Sequence, residues 1–258
     1  MRALLKLLCI VFLVFIILYT TTYFHYDTIR ETHSDVAIVV SHYNENIDYL
    51  DNEPFSEFEQ IIYTKGENTP KCSACANIKQ LPNVGVCNHT ILYHIVNHYD
   101  TLHDITIFLP ASCLDERKRE ITKQTIQKVK ETNDSVFYCV AYNNVKDDFY
   151  NFQLDEWKNT NSANQVLNPD KYLRPAAIRP FGKWYEQHFN RIDIQHVNYT
   201  SIFAISKQHV HNRSVSFYRE LLEEVSHHKN EETAHYLERA TLALFYPIPE
   251  KCVYIAPT

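Results

Sequence analysis

The stretch Leu81–Cys113, LPNVGVCNHTILYHIVNHYDTLHDITIFLPASC, decides the fold, because it runs turn, helix, turn and buried strand in succession. Pro82, Asn83 and Gly85 are turn residues. From His89 to Tyr99 the apolar positions Ile91, Leu92, Ile95, Val96 and Tyr99 share one helical face. Asp100 to Asp104 turn the chain again, and Ile105–Leu109 is a short apolar strand stopped by Pro110. In an open α/β sheet, ligands bind outside the carboxyl ends of the strands. The pattern therefore places a pocket at Pro110-Ala111-Ser112-Cys113.

Upstream, Val36–Val40 is a near-continuous apolar strand, as expected of a central strand covered on both faces. Ile61–Tyr63 reads as a second strand, and Thr64–Gln80 as a polar loop carrying Cys72-Ser-Ala-Cys75. Downstream, Asp115–Glu131 is a charged helix with a thin apolar face of Ile121, Ile126 and Val129. Val136–Tyr142 is the next strand, and Asn143–Tyr172 an irregular polar excursion. Helices follow at Phe181–Phe189, Ser214–Ser226 and Glu231–Phe245, with a strand at Ile202–Ser206 and a stop at Pro247-Ile-Pro249. This alternation predicts an α/β fold, a single mostly parallel sheet flanked by helices, in one domain over 35–258.

Leu7–Phe24 is apolar apart from three threonines. As a helix it would reach roughly 27 Å, close to the hydrocarbon thickness of a bilayer. Arg2 and Lys6 precede it and no small-x-small cleavage site follows. The expectation is an uncleaved signal anchor over 1–24, a short stem over 25–34, and a lumenal or extracellular remainder: a single-pass type II membrane protein. Six cysteines beyond the span permit up to three disulfides there. The sequons at Asn88, Asn133, Asn198 and Asn212 become usable, although Asn88 sits too close to a helix start. A net charge of −6 gives no basic footprint for nucleic acid, and three glycines leave no room for a Gly-rich phosphate loop.

Five blocks carry a resemblance: VVSHYNE (Val39–Glu45), the turn-helix-strand above, RPFGKWYEQHF (Arg179–Phe189), SIFAISKQHV with FYRELLEEV (Ser201–Val225), and ETAHYLERATLALF (Glu232–Phe245). In this order they resemble the family known as domain of unknown function 3431. Its likeness to glycosyltransferases of type A implies a nucleotide-sugar donor and a glycan or protein acceptor. Where the family carries Arg-Glu, Gly85 is followed here by Val86 and Cys87, so any acid that relatives use there is missing. The family's glycine before the helix histidine is Ala234, and its Trp after Glu-Arg is absent.

Glu231, His235 and Glu238 fall on one helical stripe, and Glu232, His235 and Arg239 on the next. Sugar transfer needs a carboxylate to take the acceptor proton and a cation or His to face the departing diphosphate. Glu238, His235 and Arg239 are therefore the catalytic candidates, set against the alternative of an exposed face laced with ion pairs. Substrate-binding candidates are His42, Tyr43, Asn44 and Glu45 after the first strand, Asn83 and Gly85 in the turn, and Arg179 between prolines. Phe181 and Trp184 read as core. Mn²⁺ or Mg²⁺ is the expected cofactor class, yet the chain has no Asp-x-Asp, so either a lone carboxylate or Arg and Lys serve. Zinc on Cys72, Cys75, Cys87 and His89, or on His94 and His98, lacks knuckle spacing, and Cys113 reads as a disulfide partner. The combined expectation is a membrane-anchored glycosyltransferase. The alternative is a non-catalytic lumenal binding or scaffold protein that keeps the fold.

Overall fold

In the computed structural model, the described residues are 35–67, 70, 77–145, 148–156, 172–190 and 192–256. The expected membrane span and stem, and Cys72-x-x-Cys75, lie outside them. No described helix is long and apolar enough to cross a membrane.

Strand β1 (Val36–His42) is paired in parallel on both sides, with β2 (Glu59–Thr64) and with β4 (Ile105–Pro110). β3 (Asn77–Gln80) extends the β2 edge in parallel. Its four exposed residues carry no hydrophobic pattern, which is why the sequence there reads as loop. Helix α1 (Val86–His98) leads into β4, and α2 (Arg119–Thr132) leads into β5 (Val136–Ala141). Helix α3 (Phe181–Phe189) and the two-residue β6 (His196–Val197) precede β7 (Phe203–Ser206). Helices α4 (Lys207–Val210), α5 (Val215–Glu224), α6 (Glu232–Arg239) and α7 (Thr241–Leu244) then lead to β8 (Val253–Ile255).

The strand order is β3-β2-β1-β4-β7-β5-β6, with β8 beside β5. The expectation of a single, mostly parallel sheet flanked by helices holds, with an antiparallel part that the sequence did not foretell. β7 lies antiparallel between β4 and β5, and β6 is antiparallel to β5. The sheet is mixed, parallel from β3 to β4 and at β8. Strand direction at β7 depends on which way the preceding polar excursion returns, and periodicity does not encode that.

Period-two alternation in the buried strands feeds two cores. Ala37 and Val39 of β1 join Phe108, Phe137 and Phe203 in the larger one, under α1, α3, α5 and α6. Ile38 and Val40 join Ile62, Ile107 and Leu109 in the smaller one, under α2 through Ile121, Ile126 and Val129. Phe181 and Trp184 are buried, as expected.

Helix α1 starts three residues before the apolar periodicity does. Gly85 adopts the left-handed conformation at its N-cap (φ 54°), and Val86 follows it there (φ 49°). A side chain at Gly85 would overlap the Val225 carbonyl oxygen, so the turn requires glycine on two counts. The single helix expected over Glu231–Phe245 breaks at Ala240. The Thr241 hydroxyl donates to the Leu237 and Glu238 carbonyls and competes with the helical ladder at the break.

Cys87, Cys113, Cys139 and Cys252 are free, so the disulfide expected at Cys113 is absent. Its buried thiol instead lies 3.3 Å from the Tyr49 hydroxyl. Burial pushes that thiol up to about 11, although Tyr49, Thr122 and Lys118 oppose the shift.

Candidate functional site

The chain passes from β1 to β2 and β3 on one side, then crosses to place β4 on the other side of β1. The crevice between the carboxyl ends of β1 and β4 is therefore a topological switch point, the favoured ligand position in such sheets. A cleft of about 320 Å³ lies there. Ser41, His42, Tyr43 and Glu45 enter it from the end of β1, and Pro110 and Ser112 from the end of β4. Val86 and Cys87 come from the start of α1, Asn83 from the turn before it, and Tyr199, Thr200 and Ser201 from the segment before β7. Lys229, Asn230 and Glu238 complete the wall from around α6.

Several sequence candidates converge on this cleft: His42, Tyr43, Glu45, Asn83 and Glu238 all line it. The buried His42 ring shares hydrogen bonds with the Thr64 hydroxyl and the Glu45 carbonyl, so it braces the strand end. Glu45 folds its carboxylate back onto the Tyr43 and Asn44 amides, which donate to it at 2.8 and 3.1 Å. Asn44 is exposed and is not among the lining residues. His235 stands behind Glu238, its Nδ1 3.6 Å from Oε2. Gly85 shapes the turn without lining the cleft.

Two candidates belong elsewhere. Arg239 lies under the Phe152 ring, 3.2 Å from its centroid, and borders a second cavity of about 220 Å³. It packs 5.4 Å from the ring of Tyr199, which lines the first cleft, and is not itself among that cleft's lining residues. Arg179 pairs with Glu232 and donates to the Leu154 carbonyl at 2.6 Å. Glu232 is fully buried and also accepts from the Leu154 and Ala176 amides and the Tyr236 hydroxyl. These residues staple Leu154, inside the polar excursion, and Ala176, after it, to α6. The charge pattern of this region is legible in sequence, but its burial is not.

The cleft also contains residues that sequence reasoning passed over. Lys65 follows β2 and is 7% exposed. Its ammonium donates to the Val84 carbonyl at 2.7 Å and to the Val86 carbonyl. Burial lowers it to about 7, against a small opposing pull from Cys87. The Cys87 thiol is pushed up by burial, with Lys65 and Lys118 pulling it down, and so remains protonated at neutral pH. Lys118 reaches the Ser112 hydroxyl at 2.9 Å. Ser112 lies in the stretch where the sequence places the pocket, whereas Lys65 carries no signal beyond following a strand. Val86 and Ser201 carry left-handed backbones in this cleft, whereas Asn133 and Asn190, the other two such non-glycine residues among the described ones, cap helices. Strain held at a cleft by its surroundings is a feature of functional sites.

Among the described residues, no group of three or more His, Cys, Asp or Glu side chains stands together as a metal site. His94 and His98 both bond the Tyr63 hydroxyl, and His94 is buried.

The chain belongs to the DUF3431 family, described as a protein of unknown function, which it matches over residues 38–255. Among curated proteins, none matches the chain.

Proposed function

We propose that this chain is a glycosyltransferase of type A-like architecture that moves a sugar from a nucleotide sugar to an acceptor hydroxyl. The observation that carries the reading is the position of Glu238. It shares one cleft with the strand-end residues of β1 and β4, at the switch point where this sheet type holds its ligands. A carboxylate and three lysines lining one cleft suit the reaction. The acceptor oxygen forms a bond to the anomeric carbon, the bond to the diphosphate breaks with its electron pair on phosphate oxygen, and Glu238 takes the acceptor proton. His235, 3.6 Å behind, positions that carboxylate. Anchoring through residues 7–24 with the catalytic domain lumenal is part of the same proposal.

The test is a nucleotide-sugar panel on the protein, with and without Mn²⁺, read by thermal shift and by release of nucleoside diphosphate. A selective shift with turnover is expected. Glu238→Gln should cut turnover at least 100-fold, a loss typical of removing a general base. It should leave thermal stability nearly unchanged, because Glu238 is only half-buried. Full activity in that variant overturns its assignment.

A second reading has an observation of its own. Val86 and Cys87, which stand where relatives carry Arg-Glu, line the same cleft. A binding protein that has lost its acid would bind a nucleotide sugar and release no diphosphate with any acceptor.

A further inference from the structure

The chain carries a net charge of −6, yet its main cleft gathers three lysines from three separate segments: Lys65 after β2, Lys118 at the start of α2 and Lys229 before α6. Two carboxylates share the cleft. That of Glu45 is occupied by the Tyr43 and Asn44 amides, and that of Glu238 lies 3.6 Å from His235 Nδ1. We propose that the cleft seats a diphosphate group on Lys65, Lys118 and Lys229 without a divalent cation. The inference rests on the transferase reading for the origin of that diphosphate, but the lysine seat stands on its own geometry.

Lys65 is the central argument. A buried ammonium ordinarily lies against a carboxylate, because desolvating an unpaired charge is costly. Here its hydrogen-bond partners are the carbonyls of Val84 and Val86, on either side of the left-handed Gly85. Those dipoles hold the ammonium in place without neutralising it, and burial lowers it to about 7. An arriving dianion supplies the counter-charge. Lys118 is set beforehand by the Ser112 hydroxyl, so both cations meet the ligand with side-chain entropy already lost. Lys65 and Lys118 both act on Cys87 at the cleft wall, so the two cations share one part of the cleft. The hydroxyls of Ser41 and Ser112, in the same cleft, can donate to further phosphate oxygens. Lysines act as compact point charges toward phosphate, and three of them meet most of the charge that a metal would otherwise neutralise.

The experiment is isothermal titration of inorganic pyrophosphate into the full chain in EDTA, repeated with Mn²⁺. Binding in EDTA is expected, changed less than threefold by Mn²⁺. Lys118→Ala and Lys229→Ala should each weaken it at least tenfold, while circular dichroism and melting stay as in the parent. Binding only with Mn²⁺, or equal binding by both variants, overturns the seat. UDP, GDP and ADP in one arm and farnesyl diphosphate in another identify the molecule that brings the diphosphate. Pyrophosphate binding with no turnover on any nucleotide sugar would sink the transferase reading and leave the seat. Turnover that strictly requires Mn²⁺ would sink the seat and leave the transferase.

Discussion

Arg179 and Glu232 form an ion pair at 2.8 Å in which the carboxylate is fully buried and the guanidinium 31% exposed. The same carboxylate holds the Leu154 and Ala176 amides, so one side chain fastens two loop segments to the helix that carries Glu238. Removing the cation leaves a buried charge uncompensated. Arg179→Met is expected to cost about 2–3 kcal/mol, less than the roughly 3–5 of a fully buried pair because water reaches the guanidinium. Urea unfolding measures it. A variant with parental stability and abolished ligand binding would return Arg179 to the ligand site.

Gly66 packs against the loop that ends β1. A methyl group there would overlap the Tyr43 carbonyl oxygen and the Asn44 side chain. Because the first of these is backbone, rotamer changes alone cannot relieve it. Gly66→Ala should displace Tyr43 and Glu45 and weaken ligand binding at least tenfold. Binding equal to the parent would show that the strand-end loop adapts.

His89 and His94 are buried, and burial holds them well below the ordinary histidine range, at about 4 and about 3. As pH falls from about 6.5, the unfolded chain takes up these protons before the folded one does. Stability is therefore fully present above pH 6.5 and declines toward pH 4, by about 1.4 kcal/mol per pH unit for each proton. Unfolding free energies measured from pH 7 to 4 should show this slope, and His94→Gln should flatten it by nearly one proton. An unchanged slope would mean that His94 charges freely in the fold.

Two of the four sequons are closed by the fold. The Asn88 and Asn198 amides are buried and bonded to backbone carbonyls, those of Ala234 for the first and Tyr138 and Ile202 for the second. Asn133 and Asn212 are exposed, and the Asn212 amide spans the Phe245 and Pro247 carbonyls. If the domain is lumenal, Asn133 is the expected glycan site and Asn88 and Asn198 stay bare. Glycosidase treatment of material from a secretory host should shift its mobility, and Asn133→Gln should remove that shift. Glycan found at Asn198 would contradict the burial of its amide.

The legible parts of the fold are those in which a side-chain period coincides with burial. β1, β4 and α3 are read correctly to within two residues at each end, because their apolar runs are bounded by turn residues or proline. β3, exposed along its length, and β6 and β8, two and three residues long, present no such run. At the cleft, the Tyr43–Glu45 region is recoverable from its position after a strand, and Glu238 from the charged stripe of its helix. Lys65 is not, since a lysine after a strand looks solvated until the Gly85 turn folds over it. Arg179 misleads for the opposite reason: proline-flanked cations look like ligand clamps, and the fully buried Glu232 that claims this one lies far away in sequence.

The antiparallel insertion of β7 also governs how the chain acquires its structure. β1, β2 and β4 are complete once residue 110 has been made, and they can pair as they are synthesised. The free edge of β4 then stays open until Phe203–Ser206 arrives, after β5 and the whole polar excursion. During that interval a flat apolar strand offers unpaired amides to any neighbouring chain, the exposure that promotes misassembly of nascent sheets. Late, long-range closure of this kind also slows folding. Production of the protein should therefore depend on translation rate and on chaperones that shield strand edges.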